Sequence, residues 1–310
     1  MGAGAGGLTA AVAAAAADGR RLRVILVEKE DHVGGTTFRS GGCMWMPNNF
    51  LMQENDIKDS KEQAARYINA VAKLGSPVLE EQAVNVDLRY ERLDAFLTQG
   101  PEMMRYLRDQ GFRWMAKPSQ FPDYHPHVDG AVEHGRTLDP AVFDAASLGH
   151  YQKYLPKPDG VPVVPRFEDF RVLTRLRSSS LYPAEASALP KGMVRPMSMG
   201  RSLIAQLLKM CMEHDNVEIW TGLELSELLL SDHDGGVIGA RVHRRNQSIL
   251  VTMLAARRAG SLLLVVTLKH FVLGRTSGVA LDAVIVSVSM SIRSHNGSSR
   301  QSVRQQYAAQ

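Results

Sequence analysis

A glycine-rich turn opens the chain, Gly2-Ala3-Gly4-Ala5-Gly6-Gly7, in which Gly2, Gly4 and Gly7 stand at the spacing G-x-G-x-x-G and Gly6 adds a further small residue. About twenty positions on, Glu28 closes the apolar run Leu22-Arg23-Val24-Ile25-Leu26-Val27. In a dinucleotide-binding unit the first glycine allows a tight turn and the second lets the backbone approach a pyrophosphate. The third lets the helix close on the sheet. The helix start then offers free N–H groups and the positive end of its dipole to phosphates. Glu28 stands where a carboxylate would hold a ribose 2′-hydroxyl, with Lys29 beside it. The Ala-rich run from Leu8 to Ala17 predicts a helix, Asp18-Gly19 its end, and Arg20 to Val27 a buried parallel strand. The turn starts directly after Met1, so the strand that ordinarily precedes such a turn is expected to be missing.

A single G-x-G-x-x-G is a weak sign, since Ala/Gly-rich helix starts produce it by chance. Two more glycine clusters strengthen it. Val33-Gly34-Gly35-Thr36-Thr37 sets two adjacent glycines before hydroxyl side chains. Ser40-Gly41-Gly42 follows, backed by Cys43-Met44-Trp45-Met46-Pro47-Asn48-Asn49. A nicotinamide nucleotide needs only the first cluster. A flavin needs more, because its ring must lie against backbone beyond the pyrophosphate. An NAD-dependent enzyme is therefore the weaker alternative.

The runs G-A-G-x-G-G-L-T-A-A, V-E-K-x-x-x-V-G-G-T-T and S-G-G-x-M-W-x-P-N-N resemble the FAD-dependent flavoproteins of the fumarate reductase and 3-ketosteroid Δ1-dehydrogenase superfamily. The resemblance continues through Gly100-Pro101-Glu102-Met103, Gly111-Phe112-Arg113-Trp114, Pro122-Asp123-Tyr124-His125-Pro126 and Gly135-Arg136-Thr137-Leu138. Gly200-Arg201-Ser202-Leu203 and Val237-Ile238-Gly239-Ala240-Arg241-Val242 carry it to about residue 245. W-x-P-N-N together with P-D-Y-x-P favours the ketosteroid branch.

That resemblance implies an α/β, Rossmann-like (glutathione-reductase-like) FAD-binding fold, incomplete, with an inserted α+β substrate or cap region. It implies FAD held by Gly2, Gly4, Gly6, Gly7, Glu28, Lys29, Gly34, Gly35, Thr36, Thr37, Ser40, Gly41 and Gly42, with the backbone of Leu225 reaching the adenine. The flavin is expected to be non-covalent, because Gly35 occupies the position of the histidine that the covalent type uses. In the ketosteroid branch a tyrosinate-like base removes a proton next to a ketone, a hydride goes to flavin N5, and a second tyrosine polarises the carbonyl. Tyr124 takes the place of a helper phenol, by its P-D-Y-x-P context. The base and the carbonyl-polarising tyrosine find no match after residue 245. The runner-up readings are a catalytically inactive flavoprotein fragment and a fumarate reductase-like enzyme.

The implied segments are 1–118 for the first part of the FAD-binding domain, 119–195 for the cap region and 196–246 for the return to the FAD-binding domain. Residues 247–290 are expected to be an atypical apolar segment, of a composition like that of an altered reading frame, and 291–310 a disordered tail. Helices are expected over Asp56–Leu74, capped at Asp59-Ser60, over Arg89–Gln110 as two pieces broken at Gly100-Pro101, and over Arg201–His214. Strands are expected at Val217–Trp220, Leu223–Leu230 and Gly236–His243, the last two joined by a hairpin loop at Asp232–Gly236. Ser119–Pro165, rich in Pro, His, Asp and Gly, reads as irregular structure lining a site.

The formal charge of +4 conceals a division: +9 after Gly235 and −5 before it. The basic end has almost no interleaved aromatics, which argues against nucleic acid. Ala259–Gly274, interrupted by Lys269 and His270, is too short to span a bilayer. Two cysteines, Cys43 and Cys211, make no disulfide framework and suit the cytoplasm. His125 and His127 could begin a metal site, yet no third ligand lies at suitable spacing, so no metal is expected. The expected partners are a steroid-like ketone and an electron acceptor.

Overall fold

The computed structural model describes residues 2–16, 23–75, 86–157, 160, 163–169, 192–233, 237–244 and 247–252. The expected disordered tail, most of the apolar segment and the 171–190 stretch lie outside these residues.

Helix α1 (Ala5–Ala16) buries Leu8, Val12 and four alanines. With so little side-chain bulk it packs closely on strand β1 (Val24–Val27) on one side and on helix α6 (Met199–Met212) on the other. β1 pairs in parallel with β6 (Val217–Trp220), in the register Val24↔Val217 to Val27↔Trp220. β1 is wholly aliphatic and mostly buried, whereas β6 alternates buried Val217 and Ile219 with half-buried Glu218 and Trp220. α6 buries nearly its whole surface, which places it at the centre of the core. Its Gln206 is buried too, and clamps the chain at Arg113 by accepting from Arg113 N–H (2.7 Å) and donating to the Arg113 carbonyl (3.1 Å).

Between β1 and α6 in sequence lie α2 (Gly35–Arg39), β2 (Met44–Trp45), α3 (Phe50–Glu54), α4 (Lys61–Gly75) and α5 (Val86–Asp109). β3 (Thr137–Leu138) pairs antiparallel with β2, and β4 (Phe143–Asp144) with β5 (Pro196–Met197). A 3-10 segment, Ala145–Tyr154, follows β4 and kinks at Gly149. The described residues of 119–165 are otherwise loop, as their composition suggests. They do not pack apart: Leu138, Ala145, Leu148 and Leu155 share one hydrophobic cluster with α1, β1 and α6.

The C-terminal described part is an antiparallel meander, β7 (Glu224–Leu230), β8 (Val237–Arg244) and β9 (Gln247–Thr252). The first six residues beyond position 246 are therefore a strand, paired with β8 from Gly239↔Thr252 to Arg244↔Gln247. A second small cluster, Val27, Leu223, Ala240 and Val242 with Leu225 against it, joins the meander to the end of β1.

Two helix expectations are corrected. α5 is one helix with Pro101 inside it, not two helices broken at Gly100-Pro101. Proline there removes one backbone hydrogen bond, but Leu97, Met104 and Leu107 are buried on both sides of it, and this shared apolar stripe carries the helix through. α4 starts at Lys61 rather than near Asp56. Ser60 caps it by accepting from Gln63 N–H (3.1 Å), which ends any helical turn before it.

Candidate functional site

The glycine turn is fastened at three points. Gly2 N–H donates to the Val27 carbonyl (2.6 Å), which continues the end of β1 into the turn. Ala3 N–H donates to Glu28 Oε2 (2.6 Å), and the Ala3 carbonyl accepts from Gly34 N–H (2.8 Å). Gly7 is required by close approach, since a Cβ there would overlap the Gly2 carbonyl oxygen. The first intrahelical bond of α1 is Leu8 N–H to the Gly4 carbonyl (3.0 Å), so the N–H groups before it have no partner within the helix.

Behind the turn, α2 and the 40–43 loop close on the start of α6. Ser40 is the hub. Its hydroxyl donates to the Thr37 carbonyl (2.8 Å) and accepts from Gly42 N–H (3.1 Å), and its carbonyl accepts from Gly200 N–H (3.1 Å). A Cβ on Gly42 would collide with the Met199–Gly200 backbone, so the loop comes this close to the start of α6 only with glycine there.

The sequence-predicted residues thus come together unevenly. Gly2 and Gly4 with Gly6 and Gly7 at the start of α1, Gly34 with Gly35 and Thr37 of α2, and Ser40, Gly41 and Gly42 after it lie in adjoining segments, joined by the Gly34–Ala3 hydrogen bond. Thr36 and Lys29 are exposed beside them, and Lys29 lies 3.8 Å from Glu30. Glu28 is 1 % exposed, with Oε2 on Ala3 N–H and Oε1 on Glu30 N–H (3.1 Å). A carboxylate has about four acceptor positions, so two bonds leave room for a hydroxyl. Leu225 pairs with Val242 and packs on the cluster that contains Val27, one residue from Glu28.

The cradle passes a simple test of fit for a dinucleotide. A Cβ built on Gly2 would meet nothing within 4 Å, and one on Gly4 only Gly34 O at 3.7 Å and Thr37 Oγ1 at 3.9 Å. Open space therefore lies over Gly2, while a Cβ on Gly4 would make ordinary van der Waals contact with the 34–37 segment. A separate cleft of about 540 Å³, lined by Asp31, Lys153, Tyr154, Trp220, Thr221 and Arg244 among others, includes none of the cradle residues.

Tyr124 is 79 % exposed and stands at the end of a ring series: its ring meets Phe121 edge-on at 6.2 Å, and Phe121 lies 6.5 Å from Phe167. Phe167 in turn occupies the place where a side chain on Gly41 would stand. His125 and His127 are exposed, and no group of three metal-ligating side chains occurs among the described residues.

Sequence reasoning missed the polar frame under Tyr124. Arg136 is 1 % exposed and binds Asp59 twice, Nε to Oδ2 at 2.9 Å and NH2 to Oδ1 at 2.7 Å. Its NH1 binds Asp123 Oδ2 at 2.8 Å. Asp123 also accepts from Trp45 Nε1 (2.7 Å) and Val132 N–H (3.0 Å), and Asp59 from Asn48 N–H (2.9 Å). The guanidinium lies 5.5 Å from the ring centres of both Trp45 and Tyr67. This frame explains W-x-P-N-N, P-D-Y-x-P and G-R-T-L as pieces of one device. A second missed residue is Asp139, buried beside Cys43. Burial pushes its carboxyl up to about 6, with Glu168 and Asp169 adding repulsion and the Phe167 N–H and Arg166 opposing it. Burial, then the charge of Asp139, pushes the Cys43 thiol up to about 11, which fits an inert cysteine.

Comparison with known proteins follows the same lines. A family described as "FAD binding domain" matches residues 1–272, beyond the reach of the motifs. The 3-oxosteroid 1-dehydrogenase of Mycolicibacterium smegmatis is 30 % identical over 262 residues, covering 78 % of this chain and 41 % of that protein. A 4-oxocyclohexanecarboxylate 2-dehydrogenase of Sinomonas cyclohexanicum is 33 % identical over 210 residues, 67 % of this chain and 33 % of that protein. The crystal structure of 3-ketosteroid delta1-dehydrogenase from Sterolibacterium denitrificans, in complex with 1,4-androstadiene-3,17-dione, aligns with a TM-score of 0.59 at 29 % identity. The alignment covers 84 % of this chain and 45 % of that one. The chain thus spans about two fifths of the length of the M. smegmatis relative.

Proposed function

The chain belongs to the FAD binding domain family, and from that premise we propose that it is the FAD-holding portion of an oxidoreductase that dehydrogenates a carbon–carbon bond next to a ketone. A 3-ketosteroid or a similar cyclic ketone is the substrate class. The finer fold assignment belongs to the same reading: a Rossmann-like, glutathione-reductase-like nucleotide fold, supported by α1 between the glycine turn and the parallel β1–β6 pair.

When bound, FAD supplies the hydride acceptor, its N5. The residues of this chain do the holding. The turn at Gly2–Gly7 offers backbone N–H groups and the start of α1 to the pyrophosphate. Glu28, fixed by two backbone N–H groups, keeps acceptor capacity for a ribose hydroxyl. Leu225, in a strand that packs on the end of β1 at Val27, offers its backbone to the adenine. Gly34-Gly35-Thr36-Thr37 and Ser40-Gly41-Gly42 form the wall for the flavin half, with no histidine for a covalent link. The observation that carries the reading is the glycine turn fastened to Glu28 and Gly34, with Gly2 open above it.

Tyr124 is the helper phenol in this proposal. An isolated phenol has a pKa of about 10 and assists proton removal only when paired with a second group. Its loop is anchored one residue earlier, where Asp123 is locked to Arg136 and Trp45. The physiological electron acceptor would take the hydride equivalents from the reduced cofactor. No described helix is long and apolar enough to cross a membrane. Two free cysteines support a cytoplasmic setting.

The test is direct. The purified chain is mixed with FAD, freed of unbound ligand, and its flavin absorbance recorded; a colourless chain sinks the reading. Flavin-loaded chain is then given a 3-ketosteroid and an artificial acceptor. Turnover that falls in Tyr124→Phe supports the dehydrogenase assignment. Bound flavin without turnover supports the second reading, a chain that holds FAD without catalysing, which its two-fifths coverage of the M. smegmatis relative motivates.

A further inference from the structure

Tyr124 is exposed, and its ring meets Phe121 only edge-on, so side-chain packing does little to fix its phenol. The backbone that carries it does more. Asp123 N–H donates to the Val132 carbonyl (3.2 Å) and Val132 N–H to Asp123 Oδ2 (3.0 Å), which closes the 123–132 loop at its neck. Inside the loop Val128 N–H donates to the His125 carbonyl and Ala131 N–H to the Val128 carbonyl, both at 3.2 Å. The residue before Tyr124 is further locked to Arg136 and Trp45.

The residue after it is held by α4. Tyr67, buried on that helix, accepts from His125 N–H with its hydroxyl (3.3 Å), and the Tyr124 N–H faces the same oxygen. The loop comes this close because of Gly130 (φ +82°), where a Cβ would overlap the Gln63 carbonyl oxygen and the Tyr67 nitrogen. At the rim Arg66 Nε stands 3.2 Å from Asp129 Oδ2. The Tyr67 ring centre lies 5.8 Å from that of Trp45 and 5.5 Å from the Arg136 guanidinium. A phenylalanine would fill that place equally well, so what the hydroxyl adds is the bond to the loop.

We propose that Tyr67 is a positioning residue for the dehydrogenation: its buried hydroxyl, by holding the 124–125 backbone, sets where the Tyr124 phenol stands against the ketone. The assignment rests on the dehydrogenase reading above, in which that phenol is the helper. Proton removal needs the two groups within hydrogen-bond reach, and a misplacement of about 1 Å costs on the order of 100-fold in rate. An exposed side chain on a loop meets that demand only if the backbone on both sides of it is fixed. In this role Tyr67 acts through Tyr124 and not on the ketone itself.

The experiment follows reduction of bound flavin by 4-androstene-3,17-dione in the full FAD-loaded chain, as wild type, Tyr67→Phe, Tyr124→Phe and the double variant. Tyr67→Phe lowers the saturating rate about tenfold, while the half-saturating ketone concentration and the FAD affinity stay at wild-type values. In the Tyr124→Phe background the same change costs less than about twofold, since no phenol is left to place. A merely structural role lowers the rate by the same factor in both backgrounds, and that additivity overturns the proposal. So does a Tyr67→Phe chain that keeps the wild-type rate. Hydrogen exchange gives a check that needs no turnover. The His125 amide exchanges slowly in wild type and about tenfold faster in Tyr67→Phe, with thermal melting confirming that the variant is folded. A wild-type His125 amide that exchanges as fast as the exposed amides of its loop overturns the proposal as well. If wild-type flavin is not reduced, or Tyr124→Phe keeps the wild-type rate, the helper reading fails and the proposal falls with it.

Discussion

At the end of β1 the Glu28 carboxylate is almost wholly buried and accepts N–H groups from Ala3 and Glu30, one on each oxygen. At the end of β3 the Asp139 carboxylate is equally hidden but accepts only one, from Phe167. Both are acidic groups removed from water. The difference lies in how desolvation is offset. Two short backbone donors make Glu28 a structural staple, tying the glycine turn to the strand it leaves. Asp139 has one donor and two acidic neighbours, Glu168 and Asp169, so its ionised form is held at a loss. A buried carboxylate is a clamp or a strained acceptor according to its count of donors.

A third case sets the upper end of the scale. Asp59 and Asp123 share one buried guanidinium, Arg136, and have further backbone or indole donors besides. Arg136→Met removes the cation and strands two carboxylates in the interior. The expected loss is about 3–5 kcal/mol of unfolding free energy, read as a fall in the urea midpoint with an unchanged slope. A loss below about 1 kcal/mol would place the cluster in solvent and dissolve the distinction between anchored and unanchored carboxylates.

The comparison between Asp139 and Glu28 is sharpened by two amide substitutions of opposite sign. Asp139→Asn is expected to stabilise the unliganded chain at neutral pH. Burial raises the native carboxyl to about 6 from an unfolded value near 3.9, so the native state holds its proton more tightly. That stability is fully present below about pH 4, drains away as pH rises through about 6, and is absent above. The variant therefore gains up to about 3 kcal/mol at pH 7 and nothing at low pH, measured by denaturant unfolding at both. A gain independent of pH would mean that shape, not charge, governs the site. Glu28→Gln goes the other way. It keeps the shape but gives up two charge-assisted acceptors, for a loss of about 1.5–3 kcal/mol at pH 7. Hydrogen exchange at Ala3 and Glu30 locates that loss, and unchanged protection there would break the staple assignment.

These residues also show what was legible in advance. The glycine turn, Glu28 and the 34–42 loops could be read because their roles depend on backbone geometry, which forces a residue type at a fixed spacing. Val217–Trp220 is readable from its short alternation of apolar and other residues between the polar Asp215-Asn216 and Thr221-Gly222. Asp59, Arg136 and Asp139 carry no such local constraint. They meet across separations that only the folded chain closes, and an aspartate that will be buried looks in sequence like one that will be solvated. Pro101 on local grounds alone breaks a helix, but in α5 the buried Leu97, Met104 and Leu107 on either side hold it together from outside. The start of α4 was misplaced by the same logic: Asp59 and Ser60 both look like caps, but Asp59 is occupied by Arg136 and the cap falls to Ser60.

Tyr124 supplies the smallest stability effect and the strictest contrast with its neighbour Asp123. Asp123 is buried and bonded on both oxygens, whereas the Tyr124 phenol is 79 % exposed and touches Phe121 only by the edge of its ring. Removing one hydroxyl from an exposed ring leaves packing and desolvation unchanged, so Tyr124→Phe is expected to move the melting free energy by less than about 0.5 kcal/mol. If the phenol assists proton removal from a ketone substrate, ketone-dependent reduction of bound flavin falls while FAD affinity and stability stay at wild-type values. A fall in all three would assign Tyr124 to the frame around Arg136. No fall in any would leave it a surface residue, and the proton transfer would have to be sought elsewhere.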